Sequence, residues 1–164
     1  MIEHAIKSAF KKRKERGWDK TYVMIDVHDT ILKGEYSSAQ SYDPPKEAVE
    51  VLKWLSDRKD MVIIIWTSSY AKDYQKLKEW FWDTHQIKFD YHNENPECGN
   101  TEYAEFTTKP YFNILIEDKC GFQMETDWKK VKDTLVEIGQ WHYPFMVTSD
   151  RTQNRPYTVE ELLI

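Results

Sequence analysis

The sequence predicts an α/β fold, a parallel sheet with helices on both faces. Three observations predict it. Short apolar runs alternate along the chain with amphipathic helical repeats, giving strand, helix, strand, helix, strand, helix. The three clearest runs end in Asp26, in Thr67, and in the pair Glu117 and Asp118, and in open α/β sheets ligands bind outside the carboxyl ends of the strands. Finally, 164 residues, 40% of them hydrophobic, supply one core and would be cramped as two. A single domain over residues 1–164 is expected.

Residues 2–16 place Ile2, Ala5, Ile6, Ala9 and Phe10 on one stripe, and Gly17 is a natural stop, so an N-terminal amphipathic helix fills residues 1–17. Residues 21–25 are β-branched and apolar, a buried strand with Asp26 at its tip. The stretch 33–43 is polar, with Gly34, Ser37 and Ser38, and Asp43 followed by Pro44 reads as N-cap and first helical turn. Ala48, Val51, Leu52 and Leu55 then repeat at helical spacing to about Arg58, and the run from Met61 to Trp66 gives a second strand ending at Thr67. Ser68 or Ser69 is expected to cap the next helix, marked by Tyr70, Tyr74, Leu77 and Phe81 and ending near His85. Residues 87–91 form a weak third strand candidate, 92–108 are polar and turn-rich, and 111–116 form the apolar strand that ends at the acidic pair. The last helix carries Trp128, Val131, Leu135 and Ile138 on one face, with Thr126 or Asp127 as its cap. From Gly139 onward no pattern is clear.

Composition excludes several classes. The longest wholly apolar run has six residues, against the ~20 that cross a bilayer, so no membrane span is expected. The N-terminus lacks the apolar stretch of a secretory leader, which makes a cytoplasmic location the expectation. Cys98 and Cys120 have no CxxC spacing and exclude a zinc ribbon, and Cys120 is expected to be a buried apolar thiol. Net charge is -5, and the first twenty residues hold seven Lys or Arg against three acids, so the remainder is strongly acidic. General nucleic-acid binding is not expected, because a phosphate backbone wants a broad basic face. The one basic run, Lys11 to Arg16, reads more simply as a solvated helix face.

The central feature is convergence. With parallel strands, Asp26, Thr67, Glu117 and Asp118 meet at one edge, and carboxylates gathered there repel one another unless a cation sits among them. Hard oxygen ligands without a His or Cys grouping point to magnesium, Mg2+, rather than zinc. His4, His85, His92 and His142 have no ligand spacing.

On these residues the chain resembles the haloacid-dehalogenase superfamily of aspartate-nucleophile phosphatases. VMIDVHDTIL is similar to the family's first motif, close to its DxDDT version, with Asp26 at the nucleophile position. IIIWT resembles the second motif and gives Thr67; TTKP is the best match to the third and gives Lys109; NILIED resembles the fourth and gives Glu117 and Asp118. The resemblance covers residues 20–138 as a catalytic core. It implies a three-layer sandwich with a mostly parallel, Rossmann-like sheet and at most a small flap as cap.

What the resemblance implies chemically is a magnesium-dependent phosphomonoester hydrolase working through an aspartyl-phosphate. Asp26 would be the nucleophile, splitting one displacement into two. Asp26, the backbone carbonyl of His28, Asp118 and Glu117 would hold the metal, and Thr67 and Lys109 the phosphoryl oxygens. His28 departs from the family, standing where its phosphatases carry a second Asp as acid and base. Imidazole titrates near neutrality and can donate a proton to a leaving oxygen. A ring that reaches wrongly would instead cost something like the 10²- to 10⁴-fold that general acid catalysis contributes. The alternative reading is therefore an impaired protein that binds magnesium and phosphate groups without turnover. A dehalogenase needs no metal, and the acidic pair counts against it. Asp29 is expected to be structural, and Thr67 serves as a phosphate contact, a helix cap, or both.

No large cap fits in 33–43, and 92–108 is left as a possible specificity loop. Similarity to capless members implies a phosphorylated substrate that can be bulky. Tyr36, Tyr42, Tyr91, Tyr103 and Phe106 are the aromatic residues placed either to touch it or to pack the loops. Oligomeric state is open.

Overall fold

The computed structural model describes residues 1–35 and 39–141. Four strands, β1 (Thr21–Asp26), β2 (Met61–Trp66), β3 (Tyr91–His92) and β4 (Ile114–Ile116), form an all-parallel sheet in the order β3-β2-β1-β4. Four helices accompany them: α1 (Ile2–Arg16), α2 (Lys46–Asp57), α3 (Ala71–His85) and α4 (Met124–Glu137). The expected α/β class and element order hold. Ser37, Ser38, Tyr36, His142 and the tail beyond Trp141 lie outside the described residues.

β2 is apolar on both faces, and Met61 to Ile65 are all buried, as an internal parallel strand requires. Val23 and Ile25 of β1 and Ile63 and Ile65 of β2 join a core cluster that contains buried residues of all four helices. Burying each such side chain is worth about 1.5–3 kcal/mol. The opposite face is smaller and differently covered. Met24, Val62 and Ile64 pack there with Tyr22, Tyr91, Phe112 and Leu115, and no helix residue belongs to this cluster. Helices on both faces are thus not what the described residues contain: the connection from β3 to β4, which contributes Phe112, packs on the second face as irregular chain. The cause is its composition, with Asn93, Asn95, Pro96, Gly99 and Asn100 breaking any helical repeat.

Several element ends differ from expectation. Pro45, rather than Asp43, is the N-cap of α2, in an extended conformation (φ -55°, ψ 147°). A proline disfavours the helical conformation in the residue before it, so Pro45 holds Pro44 outside the helix. The cap of α3 is Tyr70 and that of α4 is Gln123, not Ser68, Ser69, Thr126 or Asp127. Asp127 lies inside α4, and its Oδ2 accepts the Gln123 amide at 2.9 Å. The third strand starts at Tyr91 because the Asp90 carboxylate takes the Ile63 amide (2.8 Å) in place of backbone. β4 starts at Ile114 for the same reason: Asn113 Oδ1 accepts the Tyr22 amide at 2.8 Å. Cys120 is exposed, not buried, because it closes a 3₁₀ turn, Asp118–Cys120, that carries the chain off the end of β4.

At the amino end of the sheet a buried network ties α1 to the strands. Arg13 Nη1 donates to Asp60 Oδ2 at 2.9 Å, and Arg58 donates to both Asp60 oxygens at 2.8 and 2.5 Å. Arg13 also donates to the carbonyls of Trp18 and Asp19, and Arg58 to that of Gln140. These bonds satisfy charges that would otherwise be costly to bury. Among the described residues, no helix is long and apolar enough to cross a membrane.

Candidate functional site

β1 is central, so whatever stands at its tip is flanked by the tips of β2 and β4. Asp26 closes β1, Thr67 follows β2, and Glu117 and Asp118 follow β4. Asp26, Glu117 and Asp118 each offer a carboxylate oxygen, and the three atoms lie within 4.8 Å of one another. A pocket of about 400 Å³ opens beside them, with Asp26, Thr67 and Glu117 in its wall. Trp66, Ser68, Asn93, Thr108 and Lys119 complete the lining. The sequence-expected acids and Thr67 are therefore brought together.

The turn after β1 locks this arrangement. Val27 O accepts amides from Thr30, Ile31 and Leu32, and Asp29 takes a positive φ of 58°, a conformation that Asp tolerates better than most residues. Asp29 Oδ1 accepts the Gly34 amide at 2.9 Å, which fits its expected structural role. Thr30 is thereby folded back, fully buried, beneath the strand tip. Its hydroxyl donates to Asp26 Oδ2 at 2.9 Å and accepts the Asp118 amide at 3.1 Å, while its carbonyl accepts Trp128 Nε1 at 2.7 Å. One side chain thus bridges the two strands that carry the acids and is itself anchored by α4.

On the other flank, Asn93 has a positive φ of 55° and pairs with the Thr67 backbone, Oδ1 accepting the amide and Nδ2 donating to the carbonyl, both at 2.8 Å. Thr67 Oγ1 accepts the Ser69 amide and lies 3.0 Å from Ser69 Oγ, so its hydroxyl stays near the strand tip rather than capping α3.

Crowding shows in the electrostatics. Burial pushes the Asp26 carboxyl above its ordinary range, against the hydrogen bonds from Thr30 and the Val27 amide, and the Asp118 charge adds to the rise. Glu117 is pushed up to about 7, first by burial, then by its hydrogen-bonding interaction with Asp118, then by the Asp26 charge. Asp118 is lowered, chiefly by that same interaction with Glu117. Asp118 Oδ1 is buried with no hydrogen-bond partner, and the Lys119 ammonium stands 3.8 Å from it. Three clustered carboxylates, with a buried Asp118 oxygen that has no hydrogen-bond partner, suit a hard divalent cation.

Two expected residues are placed elsewhere. Lys109 is exposed and does not line the pocket; the lysine that does is Lys119, directly after the acidic pair. His28 is half-buried, bridges to Leu32 through its backbone, and is not in the pocket wall. Of the 92–108 loop, Asn93 and Thr108 line the pocket. Tyr42 stacks on Trp80 (5.1 Å), Phe106 packs edge-on to Tyr111, and Tyr91 donates to Glu97, so these three pack loops, while Tyr103 is exposed. Sequence reasoning missed Asn93, Lys119 and Trp66. A signal existed for the last, a tryptophan ending an otherwise aliphatic strand one residue before Thr67.

No family model, no curated protein and no solved structure matches this chain.

Proposed function

We propose that the chain is a magnesium-dependent phosphomonoester hydrolase of the haloacid-dehalogenase type, with Asp26 as nucleophile. The observation that carries the reading is the meeting of Asp26, Glu117 and Asp118 within 4.8 Å at the tips of adjacent parallel strands. The four-stranded parallel sheet is compatible with the Rossmann-like core such enzymes use. Asp26, Glu117 and Asp118 would hold the cation, with Asp118 Oδ1, which has no hydrogen-bond partner, an available donor. The cation, when bound, supplies charge neutralisation between an anionic nucleophile and an anionic phosphoryl group.

In the first step an Asp26 oxygen bonds to phosphorus as the bond to the leaving oxygen breaks, and the leaving oxygen takes a proton from solvent water. Water then attacks phosphorus, releasing inorganic phosphate and restoring the carboxylate. Thr30, by donating to Oδ2, orients Asp26. Thr67 and Lys119 in the pocket wall would meet the phosphoryl oxygens.

A second reading, binding of magnesium and phosphate without turnover, is favoured by the absence of His28 from the pocket wall. Magnesium-dependent hydrolysis of a generic aryl phosphate by wild type, Asp26→Asn and His28→Asp separates the two. Turnover by wild type that vanishes in Asp26→Asn supports the hydrolase. Turnover in His28→Asp only supports the binding protein, and none in either removes the phosphatase reading.

A further inference from the structure

We infer that Trp66 is a stacking platform, and that the ligand at this site is a phosphomonoester whose leaving group carries a flat ring. The inference rests on the phosphate-site reading above and adds the class of ligand.

Trp66 ends β2, whose other residues are all buried, and is itself 36% exposed. It pairs in register with Asp26. In-register neighbours on parallel strands point to the same face, so the indole and the Asp26 carboxylate emerge side by side, and both line the pocket. Every other tryptophan is engaged. Trp18 lies under the Arg16 guanidinium, Trp54 and Trp141 stack on each other, Trp80 stacks on Tyr42, and Trp128 packs on Phe122 and donates to Thr30. Trp82 also has a partner. Among the described residues, Trp66 is the tryptophan without a ring, cation or hydrogen-bond partner.

An indole face left open beside a candidate nucleophile offers what a planar ring needs, and stacking is tolerant of which ring is offered. The rest of the wall is short and polar, with Thr67, Ser68 and Thr108. Its charges are Asp26 and Glu117 against Lys119, which suits one phosphoryl group rather than a run of them. The shared chemistry of a nucleoside monophosphate and an aryl phosphate, a single phosphate near a flat ring, fits this wall.

The test is calorimetric binding to the Asp26→Asn protein, which stops turnover, in magnesium, with Trp66 intact, Trp66→Phe or Trp66→Ala. The probes are adenosine monophosphate and phosphotyrosine, which carry rings, and ribose phosphate and glycerol phosphate, which do not. Ring-bearing probes are expected to bind roughly five- to hundredfold more tightly, the range of single-ring stacking. That ratio should fall toward one in Trp66→Ala and survive largely in Trp66→Phe. Preference for only one of the two ring-bearing probes identifies the source and still supports the platform. Equal binding of ring-bearing and ringless probes, no binding of the ring-bearing ones, or a ratio that survives Trp66→Ala overturns it. Hydrolysis of glycerol phosphate by wild type is read separately, so that loss of the hydrolase reading does not decide the stacking question.

Discussion

The Thr30 hydroxyl donates to Asp26 Oδ2 at 2.9 Å from a position with no solvent exposure. Because Thr30 Oγ1 also accepts the Asp118 amide, Thr30 sets the spacing between the tip of β1 and the acidic pair.

Replacing Thr30 by valine keeps the shape and deletes both bonds. Leaving buried polar groups unpaired costs about 1–3 kcal/mol, so Thr30→Val is expected to lower the urea midpoint by a corresponding amount and to weaken magnesium binding. Thr30→Ser should restore both. Unchanged magnesium affinity in Thr30→Val would show that the spacing of the acids does not depend on this hydroxyl.

Magnesium should stabilise the fold, since three crowded carboxylates gain a counter-charge. At a hundredfold excess over its dissociation constant a ligand adds about 2.7 kcal/mol. Thermal melts with magnesium and with chelator are expected to differ by several degrees in wild type. Asp118→Asn should shrink the response to magnesium. A melting point indifferent to magnesium would argue against the cation site.

The metal-free protein should lose stability as pH rises. Glu117 is raised from the ordinary carboxylate range to about 7, so between about 4.5 and 7 the folded state holds a proton the unfolded state has released. Folding is then favoured at the acid end and disfavoured as pH passes through 7. Urea midpoints in chelator should fall across this window, and Glu117→Gln should flatten the slope.

Asp60 sets the opposite limit. Burial raises its carboxyl, yet Arg58 and Arg13 together hold it below its ordinary value, so its contribution is present above the unfolded pKa and disappears as pH falls through the depressed one. Asp60→Asn would remove the carboxylate that the buried Arg13 and Arg58 guanidinium groups share, a loss of about 3–5 kcal/mol. Equilibrium unfolding of that variant at neutral pH should show it; a loss below 1 kcal/mol would mean that the carbonyls of Trp18, Asp19 and Gln140 suffice.

The sequence carried much of this, unevenly. β1 and β2 were legible because buried parallel strands need unbroken apolar runs, and α1 because its stripe ends at Gly17, which takes φ 66°. The acids were legible because polar residues directly after such runs have few other places to be. The helix starts were not, since none of the four N-cap residues caps its helix with its own side chain. The ends of β3 and β4 were hidden because Asp90 and Asn113 complete the ladder with side chains, a substitution invisible to periodicity. Lys119 was overlooked because its place in the pocket comes from the 3₁₀ turn after β4 rather than from a strand.

The brevity of the two border strands has a consequence for how copies of this chain meet. β3 has two residues and β4 three, against the five or six of an ordinary strand. Among the described residues these are the borders of the sheet, and an extended segment arriving at either finds little regular backbone to template on. The aliphatic runs of β1 and β2, which alone would be prone to fibril formation, lie between these two short strands.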